Sequence, residues 1–315
     1  MDARTSFGKS LSGWAGERGF RVGWGPLEVV DAALDDVRGR GLSRALAAYA
    51  SESLATDAAN VLAARGLRSV FVVVVPRPAH TVLFDREEGT VEALFPPTYV
   101  RYRDLFEELR TAISEGPLAG ARVETLNAPL KQVASRLGLV SYGRNNVTYA
   151  EGAGSWLQLA GYATDARLPH PAAWRLSEPA LLERCRTCRA CLKSCPTDAI
   201  SADRVLIHAD RCLTFANEVA GEWPAWVEPK AHHALVGCLL CQTRCPENPK
   251  LSVEASGVVF TREETASLLS GREDRDDPSW PGIRAKLGRL GQPQMEDVLG
   301  RNLRALVAAR GAASR

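Results

Sequence analysis

Apolar positions recur at helical spacing over residues 27–65, as in Val29-Val30-x2-Ala33-Leu34-x2-Val37, and the run stops at Gly66. The strand-sized apolar stretch Ser69-Val-Phe-Val-Val-Val-Val75 follows, closed by Pro76 and Pro78. Its unbroken character predicts a strand buried on both faces. Helical periodicity returns at 102–115 and at 129–137, where Gly138 is placed to end the helix in a left-handed turn. Residues 146–163 read as strands broken at Gly152, Gly154 and Gly161. Further helices are predicted at 261–269 and 295–309, around an acidic loop at 273–277. Helix, buried strand and helix in alternation predict an α/β domain over residues 1–175, built on a mixed or parallel sheet. Segment 176–250 reads as a separate module and 251–315 as a helical cap.

Composition narrows the function. At 315 residues and 45% hydrophobic, the chain can bury one large or two modest cores. A net charge of +2 implies no strong field for a polyanion. The longest apolar run is far shorter than a bilayer span, so no membrane association is expected. Met1-Asp2-Ala3-Arg4-Thr5 holds no apolar signal core, and no Arg–Arg export signal is present. A cytoplasmic protein is the expectation.

The chemistry lies in the cysteines. All eight fall in the pattern Cys185-x2-Cys188-x2-Cys191-x3-Cys195-Pro196, then Cys212, then Cys238-x2-Cys241-x3-Cys245-Pro246. Four disulfides would suit a small secreted domain without a core, which this chain is not. Four-cysteine zinc sites use isolated Cys-x2-Cys pairs. The triple x2 run followed by x3-Cys-Pro is the bacterial ferredoxin pattern, in which the fourth cysteine ligates the other cluster. Two [4Fe–4S] clusters are therefore expected, one on Cys185, Cys188, Cys191 and Cys245, the other on Cys195, Cys212, Cys238 and Cys241.

Three further segments carry a resemblance. Val123-Glu-Thr-Leu-Asn-Ala-Pro-Leu-Lys131, Gly138-Leu-Val-Ser-Tyr-Gly-Arg-Asn-Asn146 and Gly154-Ser-Trp-Leu-Gln-Leu-Ala-Gly161, in this order before the cysteines, resemble epoxyqueuosine reductases. That family is related to reductive dehalogenases and uses cobalamin with two [4Fe–4S] clusters. The likeness spans roughly 123–246. It is closer to a branch marked by Phe-Pro-Pro-Thr-Tyr (here 95–99), Tyr-Gly-Arg-Asn-Asn (142–146), Cys-Leu-Thr-Phe-x-Asn-Glu (212–218) and Cys-Pro-Glu-Asn (245–248). The resemblance implies electron flow through the clusters to cobalamin and a substrate. It puts Glu124 where the family has a catalytic aspartate, and Tyr142, Arg144, Asn145 and Asn146 in a cofactor-binding loop.

Each of these has a plainer alternative. Glu124 also suits a solvated surface or a helix start, and Asn145-Asn146 suits a turn with positive φ. His80, just past the buried strand, is a switch-point ligand or an exposed histidine. His232-His233 either tune a cluster or face solvent, and Trp223-Pro-Ala-Trp226 covers a cluster. Arg184, Arg186 and Arg189 dock an acidic ferredoxin or form surface ion pairs.

Two functions follow. One is a reductase drawing on a ferredoxin or flavodoxin donor, with a small molecule or modified nucleoside as substrate. The near-neutral charge speaks against tRNA. The other is a non-catalytic electron carrier, or an activator of a partner corrinoid protein.

Overall fold

The computed structural model describes residues 3–41, 57–169, 175–203, 206–228, 231–271 and 277–313. In chain order come α1 (Ala3–Glu17), β1 (Arg21–Gly25), α2 (Glu28–Arg38), α3 (Ala59–Ala64), β2 (Ser69–Pro76), β3 (Ala79–Phe84) and β4 (Val91–Phe95). Next are α4 (Tyr102–Glu115), β5 (Val123–Thr125), α5 (Leu130–Arg136), β6 (Ser141–Tyr142), β7 (Thr148–Tyr149) and β8 (Leu157–Thr164). Short helices α6 (Ala190–Ser194), α7 (Leu213–Glu218) and α8 (Leu240–Thr243) punctuate the cysteine segment. Beyond it lie β9 (Val253–Phe260), α9 (Arg262–Leu269), α10 (Trp280–Arg289) and α11 (Leu299–Ala313).

These elements form two compact units that do not follow chain order: residues 1–76 with 104–188, and residues 77–103 with 189–315. The excursion 77–103, which carries β3 and β4, leaves the first unit and belongs to the second.

The first unit is built on the sheet β1-β2-β8-β5. Alternate residues of β2 enter different cores. Val70, Val72 and Val74 pack with Val29, Val30 and Ala33 of α2, Leu62 of α3 and Val133 of α5. Phe71, Val73 and Val75 pack with Leu11 of α1 and with Leu109 and Ile113 of α4. Helices covering both faces are why no polar residue interrupts β2. Its neighbours β1 and β8 nevertheless run antiparallel to it, and so does β5 to β8. A continuous apolar run reports burial on two faces, and strand direction is a separate matter. The mixed sheet is in the second unit, where β3 pairs antiparallel with β4 and parallel with β9. There α9, α10 and α11 bury Leu268, Ile283, Leu287, Leu303 and Leu306 against Val82, Phe84 and Phe260.

Local signals held in most places. Gly66 and Gly138 adopt φ of +79° and +72° at the ends of their helical runs, and α4 matches its expected bounds. Thr261 caps α9 in a reciprocal capping box with Glu264. The run 27–65 contains α2 and α3; its residues 42–56 lie outside those described, as do 273–276 of the acidic loop. Gly152 and Gly154 do separate β7 from β8. Gly161 does not break anything: it sits inside β8 opposite Val72, where a Cβ would collide with Leu130 at the start of α5. Glycine is needed there so that helix and sheet can approach.

Candidate metal centres and polar loop site

Each cysteine sits at the edge of a short turn or helix. Cys185 is buried in the 3-10 turn Glu183–Arg186. Cys191 rides on α6, which Cys195 ends; Cys212 precedes α7; Cys241 rides on α8. Helices α6 and α8 pack against each other, which brings the end of the first cysteine run, from Cys191, to the second. Burial pushes the Cys238 thiol up to about 12, and Cys212 and Cys195 are near enough to add to the rise. Three thiols of the second expected set, Cys195, Cys212 and Cys238, thus lie near one another, and thiolate sulfur is the donor an iron–sulfur core takes. Among the described residues the cysteines do not close into a finished metal cage. The Ala199 N–H donates to Cys195 Sγ at 3.3 Å, a contact of the kind that tunes cluster potential. Cys185 and Cys188 belong to the first unit, Cys191 and Cys245 to the second.

Two signature segments meet beside this second set. Tyr99 donates to Glu218 of α7, and burial raises both groups above their ordinary values. Next to Glu218, the buried Asn217 donates to the Gly237 carbonyl at 2.6 Å, just ahead of Cys238. His233 is not a sulfur donor here. His233 Nε2 accepts from the Leu239 N–H at 3.2 Å while Nδ1 donates to the Ala231 carbonyl at 2.9 Å. His232 is buried edge-on to Trp223, and desolvation, with His233 and Arg301 nearby, lowers it to about 4. The Arg301 guanidinium also lies 4.1 Å from the Trp223 ring centroid, and Arg211 lies 5.5 Å from that of Trp226. His80 is half-buried on β3; desolvation and then Arg77 lower it.

The glycine-flanked loop is latched to the first cysteine. Tyr142 N–H donates to the Ala180 carbonyl at 2.7 Å, and Leu182 N–H returns a bond to the Tyr142 carbonyl at 2.9 Å. Arg144, buried, donates through Nη2 to the Cys185 carbonyl at 2.7 Å. Asn145 donates to the Tyr149 hydroxyl at 3.0 Å. Asn146 takes the turn position, with φ of +58°. Its carbonyl accepts from Lys131 Nζ at 3.2 Å, and its Oδ1 accepts from Arg40 Nη1 at 3.4 Å. The Arg40 guanidinium also lies 5.1 Å from the Tyr142 ring centroid.

Glu124 is surrounded by cations. It lies on β5 opposite Ala163, a quarter exposed, with its carboxylate paired to Arg65 and, at 3.2 Å, to Arg122. Arg65 also bonds the buried Asp57 at 3.0 Å, and Asp57 accepts from the Asn127 N–H at 2.8 Å. This is an ion-pair brace between the end of α3 and β5, not an apolar enclosure. The sequence reading missed Arg40 and Asp57 altogether. Lys131 stood in plain view in the Pro-Leu-Lys motif, but nothing there marked its ammonium as functional.

Residues 184–248 match the model of the 4Fe-4S double cluster binding domain. An epoxyqueuosine reductase of Alicycliphilus denitrificans is 31% identical over 185 residues, covering 55% of this chain and 49% of that protein. This chain is similar to epoxyqueuosine reductases over about half of its length. It spans about half the length of that relative. The structure of the Bacillus subtilis epoxyqueuosine reductase superposes with a TM-score of 0.67, at 19% identity, over 97% of this chain and 82% of that one. An epoxyqueuosine reductase with an epoxyqueuosine-modified tRNA-Tyr stem loop gives the same TM-score, identity and coverage. The α/β architecture, iron–sulfur module and C-terminal helices are thus those of the reductase fold. No helix among the described residues is long and apolar enough to cross a membrane.

Proposed function

We propose that this protein is an iron–sulfur oxidoreductase of the epoxyqueuosine reductase type. Electrons from an external donor such as a ferredoxin or flavodoxin pass through two [4Fe–4S] clusters to a corrinoid and its substrate. The observation that carries this reading is the meeting of α6 and α8, which bear Cys191 and Cys241 of a matched double-cluster domain. A bound cobalamin would supply a strongly reducing, nucleophilic cobalt. Loop 142–146 is the element proposed to hold it, because the Arg144 bond to the Cys185 carbonyl fixes that loop to a cluster ligand. An acceptor on the loop then stays at a set distance from the first cluster. Arg144 and Asn145 would act by shaping the loop, and Tyr142 and Asn146 by holding Arg40 and Lys131 beside it.

The substrate is a small molecule or a modified nucleoside. The stem-loop complex of one structural relative supports a tRNA-borne nucleoside, whereas the net charge of +2 favours a smaller substrate. Reduced thiolates suit a cytoplasmic setting. A second reading, an electron carrier or activator of a partner corrinoid protein, is favoured by the ion-paired state of Glu124.

Anaerobic reconstitution followed by iron, sulfide and corrinoid analysis of one sample separates the readings. Iron and sulfide near eight per chain, with cobalamin bound in base-off form, supports the reductase. Clusters without corrinoid binding leave the carrier; stoichiometric zinc without sulfide removes both.

A further inference from the structure

Beside the loop, two cations stand together without a carboxylate. Arg40 and Lys131 both converge on Asn146, one on its side chain and one on its carbonyl. The acidic residue one helical turn before Arg40 is Asp36, a natural partner by spacing. Arg136 has taken it in a two-pronged bond, at 2.7 and 2.9 Å. Among the described residues no carboxylate pairs with Arg40 or Lys131. Lys131 is exposed, yet the protein around its ammonium and the Arg40 charge lower it to about 8. Two like charges held side by side raise each other's cost, offset among the described residues by the Asn146 oxygens and the Tyr142 ring but by no anion.

A third group leans on the same guanidinium. Tyr142 is 3% exposed, and apart from Arg40 its buried hydroxyl has no hydrogen-bond partner. Burial raises that hydroxyl, and the neighbouring Arg40 guanidinium acts against the rise. A buried hydroxyl so sparsely satisfied calls for an explanation, such as a bound ion or water. Here it lies beneath a guanidinium that no described carboxylate pairs.

The geometry points to a phosphate-monoester site formed by Arg40 and Lys131, with the Tyr142 hydroxyl bracing Arg40 from below. This deepens the reductase reading and rests on it: the substrate reduced at this loop carries a phosphate monoester. The choice among anions follows from charge. A dianionic monoester neutralises both cations, whereas a phosphodiester or a carboxylate leaves one uncompensated. Arg supplies a planar fork for two phosphate oxygens, and Lys a point charge for the third. Asn146 sets the spacing, since its left-handed turn presents carbonyl and side chain to the two cations at once.

The test uses the reconstituted holoprotein and phosphorus NMR titration with methyl phosphate. One saturable site per chain is expected, with affinity falling as pH rises through 8. Lys131→Gln and Arg40→Gln should each weaken binding about tenfold or more, the scale of losing a charge-assisted hydrogen bond. Lys131→Arg should retain binding, and Tyr142→Phe should weaken it less than either glutamine variant. Absence of saturable binding, equal binding of dimethyl phosphate, or unchanged affinity in both glutamine variants overturns the inference. Cobalamin titration of the same samples keeps the two proposals apart. Methyl phosphate binding without corrinoid binding upholds this site and removes the reductase reading. Corrinoid binding and turnover of an uncharged acceptor without methyl phosphate binding does the reverse.

Discussion

The buried Arg144 guanidinium donates to the backbone carbonyl of Cys185 at 2.7 Å, joining residues 41 apart in sequence. One bond thereby couples the conformation of the polar loop to the position of the first cluster ligand. Arg144→Gln is expected to destabilise the holoprotein by about 1.5–3 kcal/mol, the range for losing a hydrogen bond to a charged group. The EPR signal of the cluster on Cys185 should broaden, while that of the Cys238 cluster stays sharp. Denaturant melts and EPR of the reduced protein check both; equal change in the two signals would refute the selective coupling.

Crossed ligation gives the second prediction. Cys245→Ala, although it lies in the last cysteine run, should perturb the cluster held by Cys185, Cys188 and Cys191. Loss confined to the cluster on Cys238 and Cys241, read by Mössbauer or EPR spectroscopy, would show that each run holds its own cluster.

For Glu124 the structure sets an expectation that differs from a general acid's. As a brace between Arg65 and Arg122, Glu124→Gln should lower stability by up to about 1 kcal/mol, with coupling to Arg65→Gln in a double-mutant cycle. Turnover should change less than about tenfold. A fall of about 10²–10⁴ with clusters intact is the mark of a lost general acid and would place Glu124 in the chemistry.

Acid should weaken the second unit in a defined window. His232 is held neutral to about pH 4 when folded, against 6.5 as its ordinary value, so the unfolded chain binds the proton more readily. Stability is fully present above pH 6.5 and is lost as pH falls toward 4. His233 is lowered too, chiefly by desolvation. His232→Gln should therefore flatten, without abolishing, the fall in stability between pH 6.5 and 4, as read from urea midpoints.

Gly161→Ala tests the close approach of α5 to the sheet. The added carbon collides with Leu130, and overpacking of this kind costs about 1–3 kcal/mol. Thermal melts should show the loss; a neutral effect would mean that Leu130 can move aside at no cost.

What was legible in the sequence was what local chemistry dictates. The cysteine spacing marks the module because each ligand must reach a cluster corner within two or three residues. The bounds of α4 and the stop at Gly138 follow from periodicity and backbone freedom alone. Strand direction was not legible, because Val70 to Val75 reads the same beside parallel or antiparallel neighbours once both faces are covered. Gly161 misled for a related reason: its role is set by Leu130, thirty-one positions away, and not by its own neighbours. The ion pairs of Glu124 and the convergence of Arg40 and Lys131 are tertiary facts. No short window of sequence contains them.

The membership of β3 and β4 in the second unit bears on how this protein is made. Their sheet gains its parallel partner only when residues 253–260 emerge, just after the last cysteine has been synthesised. Until then the strand holding Val82 and Phe84 has an unpaired edge, and non-local pairings of this kind close slowly. A chain that stops before residue 253 would therefore hold the β3–β4 hairpin without its parallel strand.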